Sequence, residues 1–104
     1  MPWTLLFLAG LFEVAWAVGL KYTDGFTKLM PTTLTVAAMV ASVVLLGLAV
    51  KHLPVGTAYA VWTGIGTLGT VVLGIVLLGD SAAPLRIVCL ALIVLGIAGL
   101  KLTA

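Results

Sequence analysis

Hydrophobic positions fill four long runs in this chain, and the polar residues gather into three short gaps between them. The gaps lie at residues 21–28 (KYTDGFTK), 51–54 (KHLP) and 79–84 (GDSAAP). Each run is apolar around its whole circumference, the pattern of a helix surrounded by apolar material rather than of one resting on a soluble core. At ~1.5 Å per residue, about 20 residues cross a ~30 Å hydrocarbon layer. The pattern therefore predicts four transmembrane helices, at approximately 3–21, 31–50, 55–78 and 84–101, in a single all-α membrane domain spanning residues 1–104. The punctuation agrees. Asp24 and Gly25 mark a turn, Pro31 and Pro54 suit helix starts, and Gly79 and Asp80 end the third run. Ser81 and Pro84 read as the cap and opening of the fourth helix.

The first run contains one carboxylate, Glu13, near its middle. An acidic residue at that depth costs roughly 2.5 to 3.5 kcal/mol, a cost that marks it as a cation or proton site. At helical spacing it is flanked by Ala9, Gly10, Trp16 and Ala17, small residues that leave room beside the carboxylate and an indole that walls it. The third run places Tyr59, Trp62, Thr63, Gly66 and Thr70 along one side. Such a face suits protein or a cavity better than lipid, and Glu13 is the evident partner for the polar tips of Tyr59 and Trp62. Gly64 and Gly66 are hinge candidates. Gly96 and Gly99 share a face of the fourth helix and are candidates for packing between chains. Ser42 is the central hydroxyl of the second run.

Composition narrows the function. The 104 residues are 63% hydrophobic and 8% charged, with a mean hydropathy of +1.38, which no soluble domain of this size can bury. Five Lys and Arg against three Asp and Glu are too few for a nucleic-acid surface. Cys89, alone in an apolar run, offers neither a disulfide nor a metal site within one chain and reads as a small core residue. His52 falls in a loop, Arg86 reads as an interfacial anchor, and the Lys101 stem is placed to snorkel. The first run lacks the basic flank of a secretory signal and is expected to be retained. No metal constellation, nucleophile with base or paired acid occurs within a span, so no enzyme and no cofactor are expected.

One acid on four helices makes a thin wall, not an enclosed pathway, and at least a homodimer is expected. Lys51 and Lys101 fall on one side of the layer and Lys21, Lys28 and Arg86 on the other. Two against three is nearly a tie under the positive-inside rule. Insertion in both orientations would pair identical chains as an inverted repeat.

The segments GLFEVAWAVGLKYTDGF, LPVGTAYAVWTGIGTLGT and LGIAGLK resemble the small multidrug resistance family of bacterial inner-membrane transporters, most closely its guanidinium-exporter branch. The resemblance covers nearly every element, and Trp16 favours that branch over the multidrug members. It implies an antiparallel, dual-topology homodimer set in lipid, with two Glu13 carboxylates binding either substrate or protons. It also implies a hydrogen-bonded network of Trp16, Ser42, Tyr59 and Trp62 around them, and it matches Lys101 to the branch's terminal lysine. The expected activity is export of guanidinium and small guanidinyl cations, with the proton as coupling ion. A broad quaternary-ammonium drug antiporter is the alternative, and a non-transporting membrane scaffold is a third reading in which the acid is dispensable.

Overall fold

A computed structural model describes residues 2–103, and those residues form four helices joined by short turns: α1 (Pro2–Tyr22), α2 (Leu29–Ala49), α3 (Val55–Leu78) and α4 (Pro84–Thr103). All four are long and apolar enough to cross a membrane. The boundaries differ from the sequence expectation where helix-end chemistry is permissive. Helix α2 begins at Leu29 rather than at Pro31, with Thr32 N–H donating to the Lys28 carbonyl at 3.1 Å. Proline is tolerated there because the first N–H groups of a helix have no partner within it. Pro54 precedes α3 as its N-cap. Ser81 does not cap α4: its Oγ accepts the Ala83 N–H at 3.3 Å, and the Ala83 carbonyl takes the first helical bond, from Ile87 N–H at 3.2 Å.

The α1–α2 turn is built on Thr23, which is buried. Its Oγ1 donates to the Leu20 carbonyl at 2.8 Å and accepts the Phe26 N–H at 3.2 Å. Asp24, Gly25 and Phe26 all have positive φ (49°, 70° and 67°), so the chain reverses through three successive left-handed residues. Gly79, also left-handed at φ 72°, ends α3. Asp80 N–H then wraps back to the Gly74 carbonyl at 3.0 Å.

Helix α1 packs between α2 and α3, and α4 adds to the far side of α3. The resulting layer measures 42 × 35 × 16 Å. Helices are about 10–12 Å in diameter and pack at 8–10 Å spacing, so the layer is about four helices wide and little more than one deep. Its apolar core is gathered at one end. Leu6 and Ala9 of α1, Ala49 of α2, and Ala58, Val61 and Trp62 of α3 form it, with Ile97 and Leu100 of α4 against them. At the same end the Lys101 ammonium lies over the Trp3 ring, 5.5 Å from its centroid, a cation–π contact in place of a free snorkelling stem. No described residue of α4 is buried. Cys89 is correspondingly exposed within the chain, not part of the core.

Candidate functional site

Glu13 is half-buried near the midpoint of α1, just beyond the packed core. It opens onto a recess of about 250 Å³ lined by Ala17 on its own helix and by Gly66, Thr67, Thr70 and Val71 on α3. Gly66 makes this possible. A β-carbon there would collide with the Glu13 carboxylate, Oε1 foremost, so the missing side chain is the seat into which the acid fits. Helix α3 runs unbroken through Gly64 and Gly66, and Gly64 is occupied by packing, its face covered by Ile93 and Ile97 of α4. In this conformation both glycines admit close approach of a neighbouring side chain.

Glu13 Oε1 is buried without a hydrogen-bond partner, as are Trp16 Nε1 and Thr70 Oγ1. Two of these three orphans, the acid and Thr70, line the same recess. Buried polar groups left unpaired are costly, and a carboxylate and a hydroxyl together offer what a cation carrying N–H or O–H donors needs: negative charge and lone pairs.

The polar side chains expected around Glu13 are differently arranged. Trp62 Nε1 donates to Ser42 Oγ at 2.9 Å, and Ser42 Oγ donates to the Ala9 carbonyl at 2.7 Å. All of this is buried, and it ties α2 and α3 to α1 one turn before the acid. The partner of the Trp62 indole is therefore Ser42, not Glu13. Tyr59 stacks at a tilt on Trp62, with centroids 5.4 Å apart and planes at 52°, and is otherwise exposed. Among the described residues the network ends on backbone and does not reach the carboxylate. Gly10 lies against the Ile65 side chain, where its small size serves the α1–α3 contact and not the recess. Thr63 is exposed, and its carbonyl accepts the Thr67 hydroxyl at 2.7 Å. Gly96 and Gly99 face open space. Of the expected site residues, the recess holds Glu13 and Gly66.

Thr67, Thr70 and Val71 complete the lining. Thr70 was visible on the polar side of the third run, four residues beyond Gly66. Thr67 sits one position off that stripe, and Val71 carries no polar signal at all.

Two further hollows flank α1 and α3. One, of about 410 Å³, lies between α1 and α2, lined by Ala15, Gly19, Tyr22, Met30, Leu34 and Ala38 among others. The other, of about 440 Å³, lies between α3 and α4 and includes Arg86, Cys89 and Ile93. Arg86 is thus half-buried in a groove as well as near the layer edge. Among the described residues no group of three or more His, Cys, Asp or Glu is arranged to hold a metal.

The family described as Small Multidrug Resistance protein matches residues 1–93. A guanidinium exporter of Escherichia coli (strain K12) is 64% identical over 103 residues, covering 99% of this chain and 98% of that protein. Guanidinium exporters of Citrobacter freundii and Salmonella typhimurium are each 59% identical over 103 residues, with the same coverage.

Proposed function

The chain belongs to the small multidrug resistance family, and we propose that it exports guanidinium and small guanidinyl cations across the bacterial inner membrane in exchange for protons. The observation that carries the reading is Glu13, a lone acid within an apolar span, seated on Gly66 with a buried, unpaired oxygen facing an open recess. The names of the relatives given above, guanidinium exporters at 59% to 64% identity, supply the substrate class.

The chemistry fits that substrate. Guanidinium is planar and permanently charged near neutral pH, and its N–H groups meet carboxylate oxygens two at a time. A proton on Glu13 removes the charge the cation needs, and a bound cation occupies the oxygens the proton needs. Each is carried only when the other has left, which makes the exchange obligatory. Apparent affinity for guanidinium therefore falls as pH falls through the titration of the acid, and the effect is reciprocal.

The working unit in this proposal is an antiparallel homodimer, formed because the chain inserts in both orientations. A layer 16 Å deep leaves the recess open on one side, and a second copy would close it and bring a second Glu13 toward the first. If both acids release their protons before one monovalent cation binds, two protons enter for each guanidinium exported. One net positive charge then moves inward per cycle, and the membrane potential contributes ~2.3 kcal/mol per 100 mV.

The test is current across a solid-supported membrane loaded with purified protein. Guanidinium should evoke a transport current in the wild type and none in Glu13→Gln. Equal currents from the two proteins would remove Glu13 from the mechanism, and a current evoked by bulky tetra-substituted cations but not by guanidinium would replace the substrate class.

A further inference from the structure

Threonines inside an apolar helix ordinarily satisfy their hydroxyl on their own backbone, one turn back. Thr33 donates to the Leu29 carbonyl at 2.8 Å, Thr67 to Thr63 at 2.7 Å and Thr103 to Gly99 at 2.9 Å. Thr70 departs from this habit. Its Oγ1 is buried with no partner, and it lines the recess that contains Glu13. The residue one turn before it is Gly66, the seat of the Glu13 carboxylate. At four residues' separation Thr70 and Gly66 share a side of α3, about 6 Å apart along the helix axis. The acid and the free hydroxyl thus lie in sequence along one wall of one recess. Thr32, whose hydroxyl is also buried and unpaired, is in the first turn of α2 and lines no part of it.

We propose that Thr70 is a substrate-binding residue whose hydroxyl oxygen accepts an N–H from the cation while Glu13 holds the charge. The proposal rests on the guanidinium reading above and adds a second contact to it. A hydroxyl rotates freely and has two lone pairs, so it can meet a donor that the carboxylate leaves unused. Guanidinium has N–H groups on every edge: one edge paired with Glu13 leaves others directed along the recess. The bond would satisfy a group that is otherwise desolvated and empty, which is where a single hydrogen bond contributes most to recognition. Thr33, whose hydroxyl donates to the Leu29 carbonyl and which lines no part of the recess, serves as the internal comparison.

The experiment is calorimetric titration of guanidinium chloride into the purified full-length protein at a pH where Glu13 is ionised. Thr70→Val keeps the shape and removes the lone pairs, Thr70→Ala removes both shape and hydroxyl, and Thr70→Ser keeps the hydroxyl. Both Thr70→Val and Thr70→Ala should lose about tenfold in affinity, whereas Thr70→Ser should stay within about twofold of the wild type. Thr33→Val should also stay near the wild type. Thr70→Val with wild-type affinity overturns the proposal. So does Thr70→Ser falling as far as Thr70→Val, because the side chain would then act through packing. If Thr70→Val does not fold, Thr70→Ala against Thr70→Ser decides by the same criterion. A wild type that binds no guanidinium overturns the guanidinium reading itself and this contact with it, an outcome distinct from loss confined to the variants.

Discussion

Replacing Gly66 by alanine separates the stability of α3 from the function of the acid, because the two respond in opposite directions. In a helix interior alanine is favoured over glycine by about 0.8–1 kcal/mol, so the helix itself gains. The new β-carbon, however, would lie 2.7 Å from Glu13 Cγ and closer still to the carboxyl carbon and Oε1. The obstructed group is the end of a flexible side chain rather than backbone, so the fold relieves the clash by swinging the carboxylate off α3. That displaces the acid from the wall it shares with Thr67 and Thr70. A charge-assisted hydrogen bond is worth about 1.5–3 kcal/mol, so the loss of one at a displaced carboxylate lowers guanidinium affinity by about 10- to 150-fold. The assay pairs thermal unfolding in detergent with calorimetric titration of guanidinium. Gly47→Ala is the control: open space surrounds that position, so the helix gains and binding should stay unchanged. Wild-type guanidinium affinity in Gly66→Ala would refute the assignment of Gly66 as the seat of the acid.

Three further outcomes follow from the geometry and the charge pattern. Ser42→Ala removes the acceptor of the buried Trp62 indole and the donor to the Ala9 carbonyl. Unfolding should become easier by about 1–3 kcal/mol, and unchanged thermal stability would show that the chain of bonds holds nothing together. C-terminal reporters should be detected on both sides of the membrane, because only Lys51 and Lys101 oppose Lys21, Lys28 and Arg86. Reporters on one side alone would defeat the antiparallel dimer. Guanidinium titrations repeated from alkaline to acid pH should weaken steadily as protons occupy Glu13, and an affinity flat across that range would mean that proton and cation do not share a site.

What could be read from sequence divides along a physical line. Hydropathy over twenty residues is a large summed signal, so all four spans were legible, and so was Glu13 as the misfit within one of them. Helix periodicity gives the direction in which a side chain leaves its axis but not what waits at the crossing. Trp62 was therefore visible on a side turned toward protein and Ser42 as a central hydroxyl, while the acceptor of the Ser42 bond, the Ala9 carbonyl, is a backbone atom that no residue type announces. Glycine is ambiguous for the same reason. Gly64 and Gly66 look alike in the sequence, yet one meets Ile93 and Ile97 and the other meets the carboxylate. The start of α2 was misplaced because the first turn of a helix leaves its N–H groups unpaired, so Pro31 does not mark which of its residues comes first.

The position of Glu13 also explains why one chain can be both firmly packed and open. The buried cluster of Leu6, Ala9, Ala49, Ala58, Val61 and Trp62 stops at the level where the Ser42 bond meets α1. Glu13 is the next turn of that helix. Below it, side chains interlock and the Trp62 indole and the Ser42 hydroxyl are satisfied. Beyond it, Val14 still meets α3 at Gly69, but the recess opens beside that contact and Thr70 remains without a partner. An acid placed inside the core would have to remain neutral or acquire a permanent partner, and either fate would end its use as an exchangeable site. An acid placed at the far end of the layer would be too freely hydrated to select among cations. Held at the boundary, Glu13 is fixed on one side by the packed end and left accessible on the other. A carrier that must bind a cation, release it and take a proton in its place requires both conditions at the same residue.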